Sequence, residues 1–386
     1  MAAVRRLTWT RALNALGCRL TTVSTGRGCS ASRTGRGPHK QQWDGNVLGG
    51  FLALLSAAAF AFETATARRG VVTASVTQAL AITVPSGVPI FFLVAALTGS
   101  LAALFAFSLD AVLLLALAGV LHFVWGRYCN YRATKAMGSN LVAPVQQSNM
   151  LVTLALAVWV LGEWLTPLRV LGIALVVLGP MLAYERSSKR QEKAAEAAAA
   201  KDVAPAGDAG RAPFQPNYAE GYLFAILSST GYGVSPILVR MALESRSWEF
   251  SIAGGLISYA AASVALALVL LWPGQLRHAV STNRDSARWF AVSGVCVCFA
   301  QMLRYLALTF APVSVVTPIQ RLSLIFRIYF AKVINPDHEV FGGRMLAATV
   351  LSLAGALALS VSTELVQSVI PLPDWLSRFL DWRWPA

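Results

Sequence analysis

The chain has 386 residues, of which 56% are hydrophobic and only 13% charged, and its mean hydropathy is +0.58. A soluble domain carries about 25% charged residues, so an ordinary soluble fold is excluded. The net charge of +14 does not point to nucleic acid either, since half of it sits in one tail and no basic face interleaved with aromatics appears.

Residues 1–46 form that tail, with Arg5, Arg6, Arg11, Arg19, Arg27, Arg33, Arg36 and Lys40 set against the single acid Asp44. Its Arg, Ser, Thr and Gly content fits an organelle transit peptide, and equally a disordered cytosolic extension. A helix needs about 20 apolar residues to cross a bilayer. Five such spans are expected in 47–184, near 47–67, 84–106, 111–133, 139–161 and 167–184. The second is the least defined, because Pro85, Gly87 and Pro89 interrupt an apolar run that starts near Val71. Residues 185–217 then change character, with a charged stretch that reads as a solvated helix followed by Ala- and Pro-rich coil. Five further spans are expected in 218–361, near 220–242, 250–272, 288–310, 312–334 and 341–361. The tail 362–386 holds Trp375, Trp382 and Trp384 and reads either as an interfacial segment or as a loosely ordered end.

The two sets of spans are copies of one unit. GGFLALLSAAAFAFETATARRG, from Gly49, aligns with GYLFAILSSTGYGVSPILVRMA, from Gly221, and matches Ser56 to Ser228 and Arg68 to Arg240. Further along, Tyr131 matches Tyr305, Pro144 matches Pro318 and Gln146 matches Gln320. Five spans per copy is an odd number, so the copies cross with opposite orientation. The expected fold class is an all-α membrane protein of ten transmembrane helices, built as two inverted five-helix repeats. Positive charge falls on both faces, so the positive-inside rule leaves the absolute orientation open.

Few polar groups lie inside the spans, and each is a functional candidate by default. Glu63 is the only acid there and is the candidate for proton coupling. The alternative is that it snorkels from the span end toward Arg68 or Arg69. Its partner in the second repeat is Ser235, so the duplication does not require an acid. The candidates for a solute cavity are Arg127, Tyr131, Arg132, Gln146, Gln147, Asn149, Arg304, Tyr305, Gln320 and Arg321. Arg327, Tyr128, Asn130, Thr317 and Ser323 lie around them. An excess of cations over anions suits an anionic or carboxylate-bearing solute, which arginine grips bidentately. The competing reading has these side chains bonded to backbone carbonyls, or spans 3 and 8 ending earlier. Pro144 and Pro318 either break their helices beside a central site or occupy the first helical turn.

Nothing points to an enzyme, a metal or a cofactor. The cysteines Cys18, Cys29, Cys129, Cys296 and Cys298 show no framework spacing, and His39, His122, His278 and His338 lack ligand spacing. His122, inside a span, reads as a satisfied interior histidine. No phosphate loop, nucleophile elbow or HExxH is present.

The stretch from Tyr131 to Gly179 resembles the drug/metabolite transporter superfamily, in particular its ten-helix EamA-type members. It has a proline-bearing span (Pro144), a Gly-Glu turn (Gly162, Glu163) and a final span punctuated by Gly172 and Gly179. The second copy keeps Pro312, Pro318, Glu339, Gly343 and Gly355 but has NPDHE in place of the Gly-Glu turn. The resemblance covers about residues 43–362. It implies a central cavity lined by the first four spans of each repeat, alternating access, both termini in the cytosol and a proton-coupling role for Glu63.

The expected function is a secondary transporter, an exporter, of a small polar or anionic metabolite. A non-transporting scaffold or sensor and a passive channel are the alternatives on the same fold. The expected partners are the solute and the lipid bilayer, with no nucleic acid, in a monomer or homodimer. The expected location is the plasma (inner) membrane, with an organellar membrane as the alternative given the basic tail.

Overall fold

A computed structural model of the chain describes residues 38–161, 165–182, 214–243, 248–311, 313–361, 373–380 and 382. Most of the basic tail, most of the 185–217 segment, Gly162–Glu163 and most of the Trp-rich tail lie outside these residues. Residues 43–386 form one compact unit, described below, and the unit 1–42 enters only with the opening residues of the first helix.

Among the described residues there are no β-strands. The helices in chain order are α1 (Pro38–Thr73), α2 (Val76–Thr83), α3 (Gly87–Leu97), α4 (Leu109–Gly119), α5 (Arg127–Met137), α6 (Ser139–Gln146) and α7 (Asn149–Leu161). They continue with α8 (Pro167–Leu182), α9 (Tyr218–Leu243), α10 (Trp248–Leu270), α11 (Gln275–Val280), α12 (Arg284–Phe310), α13 (Val313–Arg321), α14 (Ser323–Ile334), α15 (Gly343–Ser360) and α16 (Asp374–Leu380). Joined across short kinks, these give 8 stretches long and apolar enough to cross a membrane, plus the shorter apolar α8. The pair α13 and α14 is a broken helix, and neither half is long enough alone.

Several expected boundaries move, each for a local reason. The first span runs to Thr73 rather than ending near residue 67, because the charge of Arg68 is answered inside the protein. The second span is Val76–Leu97, not 84–106. Ser75 and Gln78 form a reciprocal capping box that starts α2 early, and Pro85 falls in the kink between α2 and α3. The third span, Leu109–Met137, contains a π-helical segment, Val120–Gly126, between α4 and α5. Arg127 and Arg132 are therefore inside one continuous span. Pro144 and Pro318 are both interior residues of short helices. Each helix ends three or four residues beyond its proline, at Gln147–Ser148 and at Leu322, whereas the missing N–H and the ring clash act on the turn before the proline. Neither proline fills a first turn, since each is the sixth residue of its helix.

The two repeats interlock through helix contacts in both directions. In one direction α1 lies along α12, with Ala53 packed against Ala307, Ala311 and Val316. Ser56 bonds the carbonyl of Ala300 (2.8 Å), and Thr73 meets Ser286 (2.7 Å). In the other direction α9 lies along α4 and α5. The matched glycines explain the closeness of both crossings. A Cβ on Gly49 would collide with Ala311, and one on Gly221 with Met137. Small residues let helices approach in the absence of a water-driven hydrophobic force. The same device joins α8 to α15, where a Cβ on Gly355 would lie 2.7 Å from the Val176 nitrogen and 2.9 Å from the Gly172 oxygen.

Candidate functional site

Some of the polar residues that the spans bury come together around Glu63, with partners from both repeats. Glu63, on α1, is buried. With α1 crossing from Val47 to Thr73, it lies about 15 Å from the C-terminal end of the span at a rise of ~1.5 Å per residue. That depth removes the snorkelling alternative, and Arg68 is engaged elsewhere. Three hydroxyls donate to the carboxylate. Tyr131 on α5 reaches Oε1 at 3.3 Å, Ser293 on α12 reaches the same oxygen at 3.2 Å, and Thr64 reaches Oε2 at 3.3 Å. Tyr131 and Thr64 belong to the first repeat and Ser293 to the second. A single carboxylate is therefore held by both halves.

Two arginines lie within electrostatic reach of it, Arg127 and Arg327. Arg327, on α14, donates from Nη1 to Gln146 Oε1 (3.2 Å) and from Nη2 to Thr64 Oγ1 (3.4 Å). Gln146 in turn donates to Asn130 Oδ1 (2.8 Å). Arg127 donates to the carbonyl of Thr83 (3.2 Å) and lies 5.2 Å from the Phe123 ring centroid. The carbonyl-binding alternative thus holds in part for Arg127. His122, in the π-helical segment, shares a hydrogen bond with Ser235 (3.1 Å) and packs on Tyr232, as a satisfied interior histidine does.

Arg68 and Glu339 make a second cross-repeat contact. Arg68 is almost fully buried. It donates to the carbonyls of Thr134 (2.7 Å), Lys135 (3.1 Å) and His338 (2.6 Å), and its Nε lies 3.6 Å from Glu339 Oε1. Glu339 accepts from the backbone N–H groups of Ser139 (2.7 Å) and Asn140 (3.0 Å), so a loop of the second repeat caps α6 of the first. Gly138 precedes α6 with φ +87°, and a Cβ there would sit 2.8 Å from Glu339 Oε2, so glycine is needed on both counts. Burial raises the Glu339 carboxyl from its ordinary value, while Arg68 and the two N–H donors oppose the rise.

The cavity candidates therefore divide. Glu63, Arg127, Tyr131 and Gln146 come together in the buried cluster. Arg132 does not join them. It pairs with Glu220 and stacks on Phe224 at the edge of a cleft of about 500 Å³ that also takes in Tyr128, Lys135 and Asn217. Gln147 is buried at the α6–α7 break, with Oε1 lacking a partner. Asn149 opens α7, its carbonyl accepting from Thr153 (3.0 Å). Gln320 donates to Ser56 (3.1 Å), away from Glu63. Arg304 and Arg321 lie within electrostatic reach of each other, and the side chain of Tyr305 lies outside the described residues. Sequence reasoning left Ser293, Thr64, Thr83 and Arg327 off the candidate list. Arg327 carried the same signal as its neighbours, a cation at membrane depth, whereas buried hydroxyls carry none.

A polytopic helical bundle that buries a polar cluster is an architecture found among membrane transport proteins. A family model for the EamA-like transporter family matches residues 47–184 and again 219–361, one match per repeat. The chain belongs to this family, whose members are transporters rather than enzymes. A solved structure described as "Crystal structure of protein" is similar at 18% identity and a TM-score of 0.48, covering 85% of this chain and 99% of its own. No curated protein matches the chain.

Proposed function

We propose that the protein is a secondary transporter that exports a small polar or anionic metabolite by alternating access across ten spans, with α8 and the broken α13–α14 pair completing the two inverted repeats. Glu63 is its proton-coupling group. The observation that carries this reading is that one membrane-buried carboxylate accepts hydrogen bonds from both repeats. A hydrogen bond to an ionised carboxylate is roughly twice as strong as a neutral one. Taking up a proton at Glu63 therefore weakens its tie to Ser293 on α12 and loosens one repeat from the other. The solute enters the same accounting through the arginines. A carboxylate or similar group near them competes with Glu63 for cationic partners.

The latch of Arg68, Glu339 and the N-terminus of α6 supports the same reading, since it is a second polar contact made by residues of both repeats. The test is solute flux in proteoliposomes with an imposed pH gradient. Proton-dependent movement of at least one polar or anionic metabolite, absent from protein-free vesicles, is the expected result. Flux of none under any pH or voltage gradient would reject the proposal.

A further inference from the structure

The segment that leads from α14 to α15 is tied to three helices of the first repeat. Asn335, fully buried at the end of α14, donates to the Ala65 carbonyl of α1 (2.9 Å). His338 gives its carbonyl to Arg68 of α1, and Glu339 lies against the same guanidinium. Arg68 also takes two carbonyls from the last turn of α5, while Glu339 takes the first two N–H groups of α6. Asn140 of α6 donates back to the Val340 carbonyl (3.4 Å). The tied helices are the same four that build the cluster around Glu63. There α1 supplies Glu63 and Thr64, α5 supplies Asn130 and Tyr131, α6 supplies Gln146 and α14 supplies Arg327. On each helix the tie lies within about 12 Å of the cluster at a rise of ~1.5 Å per residue.

The cleft of about 500 Å³ lies on the far side of these ties. Ser75, just past α1, lines it, as do Lys135 and Phe214, whose ring centroid is 4.6 Å from the Arg68 guanidinium. Along α1 the order is therefore cluster, latch, cleft. Arg240, which the duplication matches to Arg68, is exposed where Arg68 is buried, so the two repeats hold their matched arginines in different states. We propose that the Arg68–Glu339 latch is a gate between the cleft and Glu63, and that it releases as a unit when the protein opens toward the cleft. Its ties converge on two side chains, Arg68 and Glu339. Loss of one therefore loosens α1, α5, α6 and the second repeat together, which makes the contact two-state rather than graded. The inference rests on the transport reading and deepens it by naming the step that admits water to Glu63 from one side.

The test is thiol labelling of the purified full-length protein in detergent with a charged, water-soluble methanethiosulfonate. Thr64→Cys places a thiol beside Glu63. Ser56→Cys places one at a buried position of the same helix, about 12 Å toward its other end at ~1.5 Å per residue. Both lie between Lys40 and Arg68, a stretch without a native cysteine, so peptide mass spectrometry reads them apart from Cys129, Cys296 and Cys298. Glu339→Gln removes the charge of the latch and keeps its size. Losing hydrogen bonds to a charged group shifts an equilibrium roughly tenfold or more. Labelling of Thr64→Cys is therefore expected to speed up roughly tenfold when Glu339→Gln is added, and labelling of Ser56→Cys is expected not to. If Glu339→Gln fails to fold, Asn335→Ala and Asn140→Ala each remove one uncharged tie and are expected to speed the Thr64→Cys reaction by a smaller factor. A Thr64→Cys rate indifferent to every latch variant that folds would overturn the gate. An equal rise at Ser56→Cys would overturn it too, because the whole bundle would then have loosened. Labelling is read without solute, so a protein that moves nothing in vesicles yet shows the rise keeps the gate and loses the transport reading. Flux combined with labelling indifferent to Glu339 does the reverse.

Discussion

Tyr131 shows how much one hydroxyl contributes at this depth. Its O–H is one of three donors to Glu63 and the only one from α5. A hydrogen bond to a charged group contributes about 1.5–3 kcal/mol. Tyr131→Phe keeps the ring packing and removes only that donor, so proton-driven flux should fall roughly tenfold with little loss of folded protein. Unchanged flux in reconstituted vesicles would mean that the hydroxyl does not hold the carboxylate proposed for proton coupling. The candidacy of Glu63 and Tyr131 was legible in the sequence, because any polar group within an apolar run must find a partner. Ser293 was not legible. A serine in a membrane helix usually bonds its own backbone, and only the crossing of α1 with α12 turns this one toward a carboxylate.

Between elements, the contacts that matter are backbone approaches and a borrowed cap. Gly355 leaves no room for a side chain, because the atoms a Cβ would meet at 2.7 and 2.9 Å are backbone atoms of α8 and cannot rotate away. Gly355→Leu should therefore destabilise the protein by about 1–3 kcal/mol through overpacking. Gly343→Ala, at the start of the same helix with nothing within 4 Å of a Cβ, should be nearly neutral. Thermal unfolding of the two variants in detergent distinguishes them, and equal effects would contradict the packing argument. Glu339→Ala strips α6 of its cap and leaves Arg68 buried without its anion. Breaking a buried pair by removing one partner costs about 3–5 kcal/mol, so this variant should melt well below the wild type. A wild-type melting temperature would show that the latch is not made. The glycine pattern and the two prolines were visible beforehand, and the structure removes the first-turn role for the prolines. The Glu339 latch was hidden because NPDHE departs from the Gly-Glu turn of the first copy. Its partner Arg68 also sits at the edge of the apolar run and reads as a loop charge.

At the scale of the whole molecule, the duplication explains the architecture and its breaks indicate where the chemistry lies. Matched Gly49 and Gly221 sit at equivalent helix crossings, and matched Pro144 and Pro318 each lie inside a short helix that ends soon after. Glu63 against Ser235 and Gln147 against Arg321 are unmatched, and the first of these pairs sets apart the carboxylate proposed for proton coupling. Composition and repetition were enough to read the membrane fold from the sequence, since both depend on local runs of residues. Which polar residues meet depends on how two distant copies interlock, and local patterns do not carry that information.

The measurement that tests the account most directly compares Glu63→Gln with the wild type in proteoliposomes, in two assays on the same preparation. Glutamine keeps the size of the side chain and accepts hydrogen bonds at its carbonyl but cannot cycle a proton. The account predicts that solute counterflow persists, while flux driven by a pH gradient is abolished. Driven flux equal to that of the wild type would contradict it.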